Sequence, residues 1–396
     1  MDDITFSVFN HGPQAIENLN ALLHIFEERF GIHVRLDIIS LSSRRWPRLV
    51  EAALYHSGPD LSEVGNSWVG DLVRMDSLRP FSNEEVDDIR KGEDYFDILW
   101  QGKVRIEHDV SMLYSIPFAA DVRVVFYRCD LLKNAAIDES SAFVDFVHFE
   151  KTLVDLKDKS ISMPLVLPNR RSNMTLHCCA SWVWAEGGDF LSPDGSSLAL
   201  DRPEALEGFK AYFHLVHHLV PAARDLEEHE ADNLFANGNA AILLSGFWVP
   251  SNSLVDKVRR NLGVALMPGV PFVGGGDLVI WNHSRHESSA LKLVQFLHST
   301  EAGRYLYPWF GLPIREADWS ISPFDTEIYQ LFRTAIRYGR SFPPARLWGL
   351  VEKRLTDTLA DIWAEVLKEP ESRIGSIVES HISDLANRLQ LSLGAK

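Results

Sequence analysis

The first 75 residues switch repeatedly between two hydrophobic periods, and that switching constrains the fold more than any other feature. Ile4, Phe6 and Val8 alternate as in a strand, and Asn10-His11-Gly12-Pro13 breaks the run. Ile16, Leu19, Leu22, Leu23, Phe26 and Phe30 then recur at helical spacing and stop at Gly31, a residue that closes helices by adopting positive φ. Ile32, Val34, Leu36 and Ile38 alternate again. A helix is expected over 43–56, ending at Ser57-Gly58-Pro59. A third strand follows over 60–64, then a further helical turn or two over 68–75. Strand–helix–strand units of this regularity predict an α/β fold with a mostly parallel sheet and helices on both faces.

The rest of the chain continues the theme with longer pieces. An extended segment is expected over 116–127, with helices over 143–156, 175–186 and 203–220. A buried strand over 240–244 runs into Ser245-Gly246. Two short strands are expected within 263–281 and an amphipathic helix over 288–297. From about Thr326 the pattern is almost wholly helical, with Leu355, Leu359, Ile362, Trp363 and Val366 on one face. No internal repeat or long flexible linker is visible, so two lobes sharing interleaved segments fit better than beads on a string.

Charge excludes some partners. With 39 Lys plus Arg against 55 Asp plus Glu the net charge is −16, and no basic stripe is present, so no nucleic acid is expected. No apolar run approaches the 18 or more residues of a membrane span. Met1-Asp2-Asp3 leads straight into the first strand without a basic or apolar leader segment. The expectation is therefore a periplasmic or membrane-anchored extracellular protein if a leader has been removed, and a cytoplasmic one otherwise. The cysteines, Cys129 and the adjacent Cys178-Cys179, make no even framework of bridges and are expected to be reduced.

Enzyme motifs are poor. No nucleophile elbow, P-loop or dinucleotide fingerprint occurs, and Gly274-Gly275-Gly276-Asp277 lacks phosphate-cradling spacing. His214, His217 and His218 share one helix face, but no thiolate or carboxylate motif completes a metal set; solvated histidines are the favoured reading, and no metal or cofactor is expected. His177 beside Cys178 is read the same way. Aromatic residues say more. Among eleven tryptophans, Trp68 and Trp248 each follow the carboxyl end of an expected strand, and Trp309 sits in a loop before Phe310-Gly311. Ligands of open α/β sheets bind outside those strand ends, where an indole can stack on the apolar face of a sugar. The alternative is that each indole fills a core or interface gap.

Several segments resemble sugar-type extracellular solute-binding proteins of ABC transporters. They are Pro59-Asp60-Leu61-Ser62-Glu63-Val64-Gly65-Asn66-Ser67-Trp68-Val69 and Ile116-Pro117-Phe118-Ala119-Ala120-Asp121-Val122-Arg123, the latter running into Phe126-Tyr127-Arg128-Cys129-Asp130-Leu131-Leu132. Leu234-Phe235-Ala236-Asn237-Gly238-Asn239-Ala240-Ala241, Ser245-Gly246-Phe247-Trp248, the glycine run at 274–276, Phe296-Leu297 and Gly311-Leu312-Pro313-Ile314-Arg315 complete the order over about residues 4–320. Phe118 stands where the family commonly has an indole, and Val122 where it commonly has a small hydroxyl residue.

The resemblance implies a periplasmic-binding-protein-like fold of type II: two mixed-sheet lobes with a hinge that close on a ligand, and a helical C-terminal region. Lobe one takes 1–116 and 267–314, and lobe two 117–266 and 315–396. The implied ligand-binding residues are Asn66, Trp68, Asp121, Arg123, Gly246 and Trp248, with Asn10, Arg44, Gly275 and Trp309 beside them. Asp121 accepts from sugar hydroxyls and Arg123 donates to hydroxyls or an anionic substituent, unless the two pair with each other. Arg170-Arg171 reads as a solvated loop. The implied function is the substrate-binding component of a carbohydrate importer, a monomer without catalysis whose partners are a sugar and the permease transmembrane subunits. The alternative is a cytoplasmic sensor on the same fold, with a sugar or acidic small-molecule ligand; an enzyme on this fold is the remote third reading.

Overall fold

In the computed structural model, residues 2–40, 45–100, 104–107, 110–192, 197–307, 309–342 and 348–394 are described. Strands β1 (Asp2–Phe9), β2 (Ile32–Ile39) and β3 (Leu61–Gly65) are separated by the helices Pro13–Phe30 and Arg45–Tyr55. Pro13 starts the first helix, where a missing N–H costs nothing. Gly31 ends it at φ 68°, its N–H bonded to the Glu27 carbonyl at 2.9 Å. Both β2 and β3 run parallel to β1, as βαβ connection demands, with Phe9 opposite Ile39 and Phe6 opposite Leu61. The helices bury Leu19, Leu22, Phe26, Leu49 and Ala53.

A short antiparallel pair, β4 (Val104–Glu107) and β5 (Val110–Leu113), precedes the longest strand, β6 (Ile116–Arg128). The chain divides into two compact units, and β6 passes from one to the other. Unit one holds Met1–Asp121, Gly274–Asp325 and Phe342–Trp348; unit two holds Val122–Val273, Thr326–Ser341 and Gly349–Lys396.

In unit two, β6 pairs antiparallel with β8 (Ile242–Gly246) and with β9 (Leu262–Leu266), while β7 (Leu165–Val166) lies parallel to β8. The chain then returns to unit one along β10 (Val273–Ile280), antiparallel to β3 with Gly276 opposite Gly65. The mostly parallel expectation therefore holds for β1–β3 and for the short pair β7 and β8, and fails for the rest. Antiparallel strands enter because β6, β9 and β10 arrive by routes other than a helical crossover, and hydrophobic period does not encode strand direction.

The core of unit one is sealed by a polar contact. Trp281 is fully buried and its indole N–H donates to Ser62 Oγ at 2.7 Å, which lies 2.6 Å from Ser7 Oγ. In unit two, helix Asn173–Ala185 meets helix Pro203–His214 at Gly208, where a Cβ would stand 2.4 Å from the Val183 Cα. The C-terminal helices Trp348–Val366 and Ile374–Gly394 complete that layer, and Trp363 packs its ring 5.0 Å from Phe213 and 5.7 Å from Tyr212. Among the described residues, no helix is long and apolar enough to cross a membrane.

Most expected elements are found within a few residues of their expected bounds. The strand expected over 240–244 begins at Ile242 and includes Ser245 and Gly246. The helix expected through Val220 ends at His214 and continues only as a 3-10 turn, Leu215–His218. Because Trp363 is fully buried, Trp363→Ala is expected to lower the stability of unit two by about 3–5 kcal/mol. Urea unfolding checks this as a lower midpoint at unchanged slope.

Candidate functional site

In unit one, the parallel strands β1 and β3 bring their carboxyl ends to one edge. β3 carries Glu63, 2% exposed, between the apolar Leu61 and Val64. One Glu63 oxygen accepts the Phe9 N–H at 2.9 Å, and the other lies 2.8 Å from His11 Nε2. The carboxylate thus ties the end of β1 to β3. Gly65 ends β3, and the chain turns through Asn66–Trp68 so that the indole folds back over the glycine, 3.3 Å from where a Cβ would be. Phe9 meets Trp68 edge-on at 6.0 Å and Trp46 meets it at 5.7 Å, which holds the half-buried indole in one orientation. Arg45 lies over the Phe9 ring at 5.3 Å. His11 continues the cluster to Phe310 at 4.8 Å, and Phe310 to Phe118 at 5.5 Å.

The structure sorts the residues nominated in this unit. Asn66 and Trp68 are half-buried at the strand end. Asn10 is exposed beyond β1, where its side-chain oxygen accepts the Gly12 N–H at 3.0 Å. Asp121 is half-buried on β6. Trp309 is 41% exposed, and it is Phe310 rather than Trp309 that joins His11 and Phe118. Gly275 sits at φ 150° with the Ala119 carbonyl oxygen 2.1 Å from where a Cβ would be, so close backbone approach accounts for the glycine. Arg44 lies outside the described residues.

Unit two repeats the device with different residues. Gly246 ends β8, and the Trp248 ring covers it so closely that a Cβ would stand 2.1 Å from an indole carbon. The indole N–H donates to Asp232 at 2.7 Å, and the Ser245 hydroxyl donates to the other carboxylate oxygen at 2.7 Å. Asp232 is 8% exposed on helix Glu228–Ala236; burial pushes its carboxyl above the usual carboxylate range, against the pull of the two donors.

Arg123, 4% exposed on β6, faces this indole at 5.2 Å and the Phe272 ring at 5.6 Å. Its guanidinium donates to the Val122 carbonyl at 3.1 Å and to His177 Nδ1 at 2.9 Å. A guanidinium has no acceptor, so His177 accepts at Nδ1 and carries its proton at Nε2. His177 stacks on Phe272 at 4.0 Å and 11°, and Trp184 lies near-parallel to the same ring at 6.5 Å. Burial, and then the neighbouring Arg123 charge, hold this imidazole well below its usual pKa.

Glu63, His11, Asp232, His177 and Phe272 are the site-forming residues that sequence reasoning missed. For Asp232 a signal existed, since it shares the buried helix face of Ala231, Phe235 and Ala236. His177 belongs with Arg123 and Phe272 rather than with a metal set. Arg170 is half-buried and pairs with Asp225 at 2.9 Å, while Arg171 is exposed and pairs with Asp357. The reading of His214, His217 and His218 as one solvated face does not hold, since all three are half-buried. Burial, with His217 and Lys157 nearby, pushes the His218 pKa down to about 4.

The mixed α/β units, with an indole laid over the glycine that ends β3 and another over the glycine that ends β8, fit the two-lobed periplasmic-binding fold. Solved structures bear out the fold along the whole chain. The GacH receptor of Streptomyces glaucescens superposes with a TM-score of 0.81 at 18% identity, covering 100% of this chain and 99% of that one. A solute-binding protein of Thermotoga lettingae, bound with α-D-tagatose, superposes with a TM-score of 0.79 at 20% identity, covering 100% of both chains.

Residues 13–304 match the family model of bacterial extracellular solute-binding proteins, and the chain belongs to that family. A binding protein of Brucella abortus is 22% identical over 247 residues, 60% of this chain and 58% of that protein. The maltotriose-binding protein of Pyrococcus abyssi is 22% identical over 258 residues, 64% of this chain and 51% of that protein. The chain thus spans a little over half the length of these curated relatives.

With its folded pKa depressed, His177 takes up a proton in the unfolded chain first, so stability falls as pH drops below about 6.5. Each such proton adds a slope of up to about 1.4 kcal/mol per pH unit. Denaturant unfolding of His177→Phe between pH 7 and 4.5 is expected to show a shallower loss than the parent, by up to that slope.

Proposed function

We propose that this chain is the substrate-binding component of an ABC-type carbohydrate importer, a binder without catalytic chemistry that hands its ligand to permease transmembrane subunits. Its place of work is outside the cytoplasm, and it acts as a monomer on a small molecule rather than on nucleic acid. The observation that carries this reading is the pair of indole platforms, Trp68 over Gly65 and Trp248 over Gly246, at the carboxyl ends of β3 and β8. An oriented indole offers a flat apolar face that suits the C–H face of a pyranose, and polar side chains beside it suit the hydroxyls. Family membership supports the same reading, as do relatives and neighbours described with maltotriose, maltose and α-D-tagatose.

The proposed ligand contacts are Asn66, Trp68, Asp121, Arg123 and Trp248, together with Asn10 and Trp309. Gly246 serves the site by letting the Trp248 ring lie flat on the backbone rather than by touching ligand. Arg123 is already engaged with His177, Phe272 and Trp248, which suits a role in orienting the indole as well as in donating to a hydroxyl.

A thermal-shift screen against monosaccharides, malto-oligosaccharides, polyols and uronic acids tests the proposal. A cognate ligand at 100 times its Kd is expected to add about 2.7 kcal/mol of stability, with a change in tryptophan fluorescence. Trp68→Ala and Trp248→Ala are each expected to weaken that ligand by about tenfold or more, equivalent to about 1.4 kcal/mol. Gly246→Ala is expected to match Trp248→Ala, because the new methyl displaces the ring. Silence across the whole panel, or turnover of any sugar, would overturn the reading.

A further inference from the structure

Away from both strand-end clusters, helix Pro203–His214 tightens into the 3-10 turn Leu215–His218 and leaves His214 and His217 with ring centroids 5.7 Å apart. Another 3-10 turn, Glu371–Arg373, joins the last two helices and brings Glu371 to the same place. One ligand atom from each of His214, His217 and Glu371 lies within 4.8 Å of the others. All three belong to unit two.

The separations are informative. His217 Nε2 is 3.6 Å from a Glu371 carboxylate oxygen. That exceeds the roughly 2.7–3.2 Å of a hydrogen bond. The nitrogen is nevertheless buried and, among the described residues, has no hydrogen-bond partner. Zinc bonds of about 2.0–2.2 Å at a tetrahedral angle set two ligand atoms roughly 3.3–3.6 Å apart. The His217–Glu371 distance is thus too long for a direct contact and close to one edge of a metal tetrahedron. The Glu371 side chain is 71% exposed and can swing to shorten the remaining gaps.

We propose that His214, His217 and Glu371 form a binding site for a divalent transition metal of the zinc class. Two imidazoles and one carboxylate suit zinc, nickel or copper rather than the all-oxygen preference of calcium and magnesium. Three protein ligands leave a fourth position for water. The metal staples the end of helix Pro203–His214 to the turn before helix Ile374–Gly394, so its occupancy governs how firmly the C-terminal helices are held. The sequence alone pointed elsewhere, because the third ligand is supplied more than 150 residues away from the histidine pair rather than by His218.

The test uses the untagged full-length chain, stripped with chelator and titrated with zinc chloride by calorimetry, and with cobalt(II) by visible absorption. One equivalent of zinc is expected to bind with a rise in Tm, and cobalt to give tetrahedral d–d bands. Glu371→Gln, an exposed change, and His217→Ala are each expected to weaken zinc by about tenfold or more. His217→Cys, which supplies another zinc ligand, is expected to restore binding relative to His217→Ala, and His229→Ala is expected to leave it unchanged. Absence of saturable binding near one equivalent would overturn the proposal. So would a Glu371→Gln chain that binds zinc like the parent, or an equal loss in His229→Ala.

Discussion

A carboxylate taken out of water must find donors, and that requirement organises both halves of this protein. Glu63 and Asp232 are buried at 2% and 8% exposure, one on a strand and the other on a helix. Glu63 meets the backbone N–H of Phe9 and the ring of His11. Asp232 meets the Ser245 hydroxyl and the Trp248 indole. An unpaired carboxylate at these depths would cost several kcal/mol, so the donors are held where the acid needs them. In unit one the acid fixes where β1 ends relative to β3, and in unit two it fixes an indole to the end of β8. The Trp248 indole derives its fixed orientation from such a polar anchor, whereas Trp68 is held by the rings around it.

The surfaces so fixed differ in chemistry between the units. Trp68 is steadied by other rings, Phe9 and Trp46, and by the glycine beneath it. Trp248 is steadied by an acid on its N–H and a guanidinium near its face. Around Phe272 the second unit builds a column, with His177 flat on the ring and Arg123 over it. Keeping His177 neutral is part of that design, because a protonated ring would place two cations 2.9 Å apart. Burial enforces the neutral state, and a guanidinium that only donates selects the tautomer.

How much of this was legible depended on which physical property a residue expresses in sequence. Period is expressed locally, so β1, β2 and the helix closed by Gly31 could be read directly, as could the strand-end positions of Trp68 and Trp248. Strand direction is not local. β10 looks like any short apolar run, yet it pairs antiparallel with β3. Glu63 escaped notice because β3 is buried on both faces; Leu61, Ser62, Glu63 and Val64 are all inside, so alternation could not sort them. The turn at His214 was hidden because helical and 3-10 spacing differ by a fraction of a residue. That small difference leaves the three rings half-buried and brings His214 and His217 together.

The way Trp248 lies on Gly246 has a bearing on how binding proteins of this kind are dissected. The glycine and the indole are two residues apart in sequence but one object in space, since any side chain at 246 must occupy the volume of the ring. Single substitutions at the two positions therefore remove the same surface twice. Their effects form a redundant pair rather than a sum, and their coupling energy is about as large as either effect alone. An energy map built from one residue at a time would count this strand end twice. It would also assign a separate role to a glycine whose task is to leave room.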